Sequence, residues 1–466
     1  MKIVILLFML KIYNTLSKKK EKFKAICNGN INLYVCGSTV YDLCHVGHAR
    51  TFVFFDIMVR YLRFIGYNVK YVRNITDIDN KILNKAKENE ESVFSLTNRM
   101  ILEMSYDFCN LNILSPDLEP RVTDNIKCII DLIIILLKKK YAYLAKNGDV
   151  LFSIDSYSRY GYLSGQNLKL LKNRIRYNYS KNNFSDFVLW KRVDYGECIW
   201  NSPWGFGRPG WHIECSAISQ KYLGVHYDIH GGGSDLIFPH HENEIAQSIC
   251  AYNNGYVNYW MHTGLVIFDK KKISKSNGNF FNLKYILSKY SVDCLRYFLI
   301  SSHYRNILYY NDDNIYNAKN SLKKIYNALY GTNYLVSTFS EDDFKIRFCQ
   351  AMNDDFNIPK VISILFELVD EINIFKKKNN FLIANKLSSR LIELFSILGI
   401  RFLKLNKKIN FKNNDKKYNL IKKLILKRDN ARRSCNWSIA DKIRNKLYSL
   451  GVVVEDSLHR SIWKIK

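Results

Sequence analysis

Ile31-Asn-Leu-Tyr-Val-Cys36, His45-Val-Gly-His48 and Val69-Lys-Tyr-Val-Arg73 follow one another closely in the chain. The first string is apolar and rich in β-formers, which predicts a strand. Gly37–Leu43 reads as a loop. From Val46 to about Ile65 the pattern is helical, with Asp56, Arg60 and Arg63 forming a polar stripe at i, i+4 and i+7 on an apolar helix. Gly66 is placed to end it, and Val69–Arg73 predicts the next strand. Strand, helix and strand in so short a span form a βαβ unit, hence a parallel sheet and an α/β domain.

The remainder of the chain is organised around that unit. From about Pro120 to Gly205 a helical start passes into short strands near Asp149–Ile154 and Asp186–Trp190, with a basic, Asn-rich stretch at Lys169–Asn183, and this reads as an insertion. α/β character returns with Trp211–Tyr222 and His240–Tyr252, and from about Tyr316 onward the signal is helical. It continues in Ala318–Tyr330, Ile358–Phe375 and Asn385–Leu398, and the basic segment Leu420–Lys466 ends in a predicted strand at Val452–Val454.

Composition narrows the function classes. Lys plus Arg is 70 against 42 for Asp plus Glu, a net charge of +28 over 466 residues. Such an excess points to a polyanionic partner, nucleic acid before an anionic membrane. Lys, Asn, Ile and Tyr are plentiful and only six Pro occur, so compositional drift accounts for part of the charge. Hydrophobic residues make up 47% of the chain, enough for a sizeable core. Eleven scattered cysteines do not form a secreted disulfide framework, and a reducing cytoplasm is expected. Lys2–Leu10 and Ile129–Leu137 are apolar but too short to cross a bilayer, so no membrane segment is expected.

Two motifs carry chemistry. His45-Val-Gly-His48 follows a strand and opens a helix, where free N–H groups and the helix dipole attract phosphate. Gly47 permits close backbone approach. Taken alone, the pair could be two capping histidines. Lys272-Ile-Ser-Lys-Ser276 follows Lys270 and Lys271. Lysines flanked by hydroxyls suit a polyphosphate whose charge develops during reaction, although alone they could be a solvated turn. The order and separation of the two motifs are the stronger signal.

Together they resemble the HIGH and KMSKS signatures of the class I aminoacyl-tRNA synthetases, with Val for Ile and Ile for Met. Tyr34-Val-Cys-Gly37, Thr39-Val-Tyr-Asp42, Asn74-Ile-Thr-Asp-Ile-Asp79, Gly210-Trp-His-Ile-Glu-Cys215 and the long string His230–Glu244 are similar to the cysteinyl-tRNA synthetases within that class. The resemblance runs from about Met9 to the end, which makes Met9 a candidate true start. It implies a Rossmann-like parallel-sheet catalytic domain split by an insertion, then a helical bundle and a small anticodon-binding domain. The implied boundaries are catalytic halves at 9–119 and 206–265, a connective insertion at 120–205, and a KMSKS and stem-contact region at 266–315. The bundle would span 316–405 and the basic anticodon-binding domain 406–466.

The resemblance also assigns residues. His45, His48, Lys275 and, in support, Lys272 would act on ATP, with Gly47, Gly231, Gly232, Gly233 and Ser274 along the nucleotide. Thr39, Thr76, Trp211 and Asp235 would form the cysteine pocket. Arg432, Trp437, Asp441 and Asp456 would contact tRNA, where Arg and Trp suit splayed single-stranded bases. Cys36, Cys215, His240 and Glu244 would hold one zinc ion per chain. These are mixed S, N and O donors that zinc accepts, and His240 and Glu244 share a helix face at i, i+4. Singly, a buried Cys is more often packing, and His241 and His212 are the neighbours left outside the set. Zinc would test the substrate chemically, since a thiolate is a soft, strong ligand and a neutral alcohol is not. The expected substrates are L-cysteine, ATP with magnesium and tRNA(Cys), used by a cytoplasmic monomer without a membrane partner. A relative that transfers cysteine to an amino-sugar would lack the basic segment beyond Asn406. A non-enzymatic zinc-stabilised RNA-binding protein would be expected to lose signature residues.

Overall fold

The computed structural model describes residues 9–465 except 167–185, 254, 269–281, 337–341, 403–414, 435, 451 and 457–460. Residues 1–8, where the question of the start codon falls, and Lys272–Ser276 lie outside the described residues. The opening βαβ unit forms as read: strand Asn30–Val35, helix Val46–Phe64 and strand Asn68–Arg73. The two strands pair in parallel from Asn30 opposite Asn68 to Val35 opposite Arg73.

Tyr227–Gly233 and Val257–Thr263 complete a four-stranded parallel sheet. Its order is Val257–Thr263, Tyr227–Gly233, Asn30–Val35, Asn68–Arg73. The two central strands therefore come from opposite sides of the insertion. In an open parallel sheet the crevice for a ligand lies past the carboxyl ends of the strands, where the order reverses. Here that crevice lies just beyond Val35 and Gly233.

The insertion does not form a core of its own. Ile129, Leu132, Ile133 and Leu136 of helix Ile126–Lys138 pack in one cluster with Tyr34, Val72, Ile218, Ala246 and Trp260 of the catalytic half-domains. That apolar stretch is a buried helix, and among the described residues no helix is long and apolar enough to cross a membrane. The insertion's antiparallel sheet runs Ala142–Leu144, Val150–Phe152, Phe187–Arg192 and Gly207–Pro209, the last strand lying just past 205. Lys169–Asn183 lies outside the described residues. Four helices follow as a bundle: Asp312–Leu329, Asp343–Asn353, Ile358–Lys377 and Phe381–Ile397.

The polar stripe of the helix Val46–Phe64 runs from the interior at Asp56 to the surface at Arg63, which pairs with Asp117 at 2.9 Å. Buried Asp56 accepts from Arg60 Nε at 3.0 Å and from Leu114 N at 2.8 Å, and it pairs closely with buried Arg296. Arg296 also donates to the carbonyls of Leu398 and Leu111, each at 2.7 Å. One carboxylate thus joins the helix that opens at His45 to the end of the bundle. Residues Met1–Arg401 form one compact unit and Phe402–Lys466 a second. The second contains helices Asp415–Arg433 and Trp437–Ser449 and a hairpin of Val452–Asp456 with Ser461–Ile465. Its core is Ile421, Leu424, Ile425, Leu447, Val452 and Val454.

Removing one partner of a buried ion pair strands the other charge. Asp56→Ala is therefore expected to destabilise the first unit by about 3–5 kcal/mol, and Arg60→Ala by far less, in denaturant unfolding. Equal effects of the two substitutions would contradict the network described.

Candidate active site

His45 caps the helix Val46–Phe64 with its side chain. Its Nδ1 accepts from Gly47 N at 3.1 Å and His48 N at 3.3 Å, and His48 Nδ1 accepts from His45 N at 3.3 Å. This is a reciprocal capping box built from imidazoles. The two rings stack with centroids 3.7 Å apart, and a Cβ on Gly47 would meet the His45 ring at 2.9 Å. Gly47 is thus needed by the cap itself. A nitrogen that accepts from a backbone N–H carries no proton, so each neutral ring keeps its proton on Nε2 as a donor. Burial, helped by His45, pushes His48 down to about 3. Burial also lowers His45, against the opposing pull of Asp235 and Asp42. Both histidines are therefore neutral donors at the N-terminus of a helix, a setting that favours phosphate oxygens.

The histidines border a cavity of about 600 Å³ past the carboxyl ends of the central strands. Cys36, Thr39, Gly47, Thr76, Trp211, Cys215, Gly233, Asp235 and His240 line it as well. Two loops are stitched together on this side, Val40 N donating to Thr76 O at 3.1 Å and Thr76 N to Ser38 O at 3.2 Å. That pairing sets Thr39 beside Thr76. Phe268 lines the cavity and Asn282 forms a β-bridge with His45, so both residues flanking the undescribed 269–281 segment border the site.

The glycine run behaves differently from expectation. Only Gly233 lines the cavity. Gly231 and Gly232 lie within the strand Tyr227–Gly233, and Cβ atoms there would meet the Phe55 ring at 2.2 Å and the His241 ring at 2.9 Å. They admit packing partners on the two opposite faces of the sheet, so their smallness is explained without a nucleotide.

Four donor atoms from Cys36, Cys215, His240 and Glu244 lie within 4.8 Å of one another, and all four residues are buried. Cys36 Sγ is 3.7 Å from Cys215 Sγ and 3.5 Å from Glu244 Oε1, and His240 Nε2 is 3.1 Å from Glu244 Oε1. Cys36 immediately follows the strand Asn30–Val35, and its N–H bonds Gly231 O at 3.0 Å. Cys215 lies in the helix Ile213–Leu223, and Glu244 in the first turn of Glu242–Tyr252. Burial, then neighbouring Cys215, pushes both the Cys36 thiol and the Glu244 carboxyl well up, while burial pushes His240 well down. Cys36, His240 and Glu244 are thus held in their neutral forms, and a cation would reverse that for the Cys36 thiol and the carboxyl. Two thiols, an imidazole and a carboxylate suit zinc far better than magnesium or calcium.

Sequence reasoning missed several neighbours. Asn74 Oδ1 accepts from Gly37 N at 2.8 Å, and its amide donates to Thr76 Oγ1 at 3.1 Å. Its string was noticed but its role was not. Lys81 lines the cavity and lies over the Tyr41 ring at 5.4 Å, with no signal in the sequence. His230 and His241 both reach Cys36 from behind.

A family described as tRNA synthetases class I (C) catalytic domain matches residues 22–320, and a DALR domain matches 347–403. A cysteine–tRNA ligase of Histophilus somni (strain 2336) is 50% identical over 458 residues, covering 98% of this chain and all of the relative. The chain belongs to the cysteine–tRNA ligase family. Another such ligase, from Shewanella amazonensis, is 51% identical over 460 residues, again covering 98% of this chain and all of the relative. Among solved structures, Mycobacterium tuberculosis methionyl-tRNA synthetase in complex with methionyl-adenylate is similar at TM-score 0.56 and 14% identity, covering 80% of this chain and 90% of that one. That likeness establishes the class I synthetase fold.

In this ligase the expected tRNA residues fall in the second unit. Arg432 is in helix Asp415–Arg433, and Trp437 opens the next helix with its ring 57% exposed. Asp441, also exposed, lies one turn on, and Asp456 ends the strand Val452–Asp456.

Two expectations follow. Gly231→Ala should lower stability by about 1–3 kcal/mol because Phe55 must move. Gly233→Ala, whose Cβ would meet Asp235 Oδ1 at 2.3 Å, should cost less stability because the end of that side chain can move, and should raise the KM for the amino acid by displacing Asp235; thermal unfolding and steady-state kinetics separate the two. The second concerns His48, whose value falls from the usual 6.5 to about 3 on folding. The unfolded chain binds the extra proton between those limits, so this residue's contribution is complete above about pH 6.5 and is lost as pH falls towards 3. His48→Asn should flatten the stability profile across that window relative to the unsubstituted chain.

Proposed function

We propose that this chain joins L-cysteine to the terminal ribose of tRNA(Cys), in two steps at the one cavity. The observation that carries the proposal is the convergence there of the neutral His45–His48 cap and the Cys36, Cys215, His240, Glu244 donor set. A carboxylate oxygen of cysteine attacks the α-phosphorus of ATP, and the bond to pyrophosphate breaks. The 2′-hydroxyl of the tRNA terminus then attacks the carbonyl carbon of the adenylate, and AMP leaves. No protein nucleophile is needed, so catalysis rests on positioning and charge stabilisation. The Nε2–H groups of His45 and His48 donate to phosphate oxygens. Lys275, supported by Lys272 and beside Ser274, neutralises the departing pyrophosphate; the bordering positions of Phe268 and Asn282 favour that role.

Thr39, Thr76, Trp211 and Asp235 orient the amino acid, Asp235 as the carboxylate for its ammonium. Zinc, held by the four donors, supplies a soft Lewis acid that retains a thiolate side chain and rejects an alcohol. Shape alone separates such near-isosteres by only about 10²-fold. Arg432, Trp437, Asp441 and Asp456 read the tRNA, and part of the +28 charge serves the same partner. We place the protein in the cytoplasm as a monomer; free thiols at the ten described cysteines favour a reducing compartment.

The test is ATP–pyrophosphate exchange with cysteine and serine side by side, followed by tRNA charging. Exchange should be cysteine-dependent, should discriminate against serine by more than about 10²-fold, and should vanish on zinc removal and return on zinc addition. Cys215→Ala should raise the KM for cysteine at least about tenfold and leave that for ATP nearly unchanged. Exchange that ignores cysteine, or charging that survives full zinc removal, would refute the proposal.

A further inference from the structure

Behind the cavity lies a second donor set that uses two of the same residues. Cys36, His230, His241 and Glu244 present four atoms within 4.8 Å of one another. His230 Nε2 and His241 Nε2 are each 3.3 Å from Cys36 Sγ, on which Glu244 Oε1 lies at 3.5 Å. Glu244 is 3.6 Å from His230 Nε2 and 3.9 Å from His241 Nε2. A tetrahedral zinc with bonds of about 2.0–2.3 Å has ligand–ligand edges of about 3.3–3.8 Å. The buried set matches those edges as well as the cavity-facing set does.

The far ring nitrogens are also fixed. His230 Nδ1 lies 2.6 Å from Tyr227 OH. His241 Nδ1 lies 2.7 Å from His262 Nε2, whose other nitrogen meets Thr15 Oγ1 at 2.8 Å. Such outer partners orient a ligating imidazole and are what a metal site requires. Without a metal the cluster closes as a hydrogen-bond network, both imidazoles donating from Nε2 to the Cys36 sulfur and the thiol donating to Glu244; a bound metal requires the other tautomer, with both Nε2 atoms free of protons. The residues that distinguish the two sets differ in exposure: Cys215 and His240 line the cavity, whereas His230 and His241 are wholly buried and do not.

We propose that Cys36, His230, His241 and Glu244 form a second, closed zinc position behind the cavity-facing one. The two positions share Cys36 and Glu244, so a chain holds one ion in one position or the other. With two thiolates the cavity-facing position is preferred in the intact chain. The closed position retains the ion when Cys215 or His240 is withdrawn, and from there the ion has no access to a substrate side chain. The inference rests on the zinc reading above.

Cobalt(II) is the probe, read by its tetrahedral visible bands and its thiolate charge-transfer band. The unsubstituted chain should bind one equivalent, with two-thiolate intensity that changes when cysteine is added. Cys215→Ala/His240→Ala should still bind one equivalent tetrahedrally, with the thiolate band at about half intensity and no response to cysteine. Adding His230→Ala and His241→Ala should abolish tetrahedral binding. A double variant that unfolds cooperatively yet binds no cobalt would overturn the second position. An unsubstituted chain that binds no cobalt would instead fail the zinc reading itself. Should the double variant not fold, zinc X-ray absorption of Cys215→Ala alone decides: one sulfur with two imidazoles supports the closed position, and one sulfur with one imidazole overturns it.

Discussion

Two thiols and a carboxylate buried within 4.8 Å of one another cannot all ionise unless a cation joins them. That constraint at Cys36, Cys215 and Glu244 organises this protein. The three residues come from a strand end and two helices far apart in sequence, and each is held by its own backbone pairing or helix. The parallel sheet delivers Cys36 to the crevice at its switch point. The helices after the insertion deliver Cys215 and Glu244 to the same place. A cation there would make the negative forms stable and tie the two catalytic halves across the insertion.

The nucleotide side obeys a different constraint. A helix N-terminus leaves backbone N–H groups without partners. Here two of them are satisfied by His45 Nδ1, which leaves the Nε2 protons for a ligand. The cap and the donor pair are thus one device. Its rigidity comes from further along the same helix, where Asp56 ties it to Arg296 and so to the end of the bundle.

Much of this was legible in the chain. The opening βαβ unit was readable because its periodicities change over short spans and Gly66 marks the helix end. The two signatures, and the strings that single out cysteine, were readable because their chemistry depends on short contiguous segments. The role of Gly231 and Gly232 was not readable, since it depends on Phe55 and His241 packing against opposite faces of the strand. His230 lies in a strand where either face could have been internal, and nothing local says that it meets Cys36. The net charge agreed with a nucleic-acid partner without identifying one.

The chain alone determined the fold class, the family, the βαβ unit around His45 and the candidate donor set Cys36, Cys215, His240 and Glu244, because each is written in local pattern or in short strings. Only the tertiary structure decided that the insertion shares the catalytic core, that Asp56 of the first long helix pairs with Arg296 in the interior, and that Cys36 and Glu244 face two donor sets. Those outcomes depend on which residues meet across long sequence separations. Such meetings are settled by packing around the sheet as a whole, and no single segment records them.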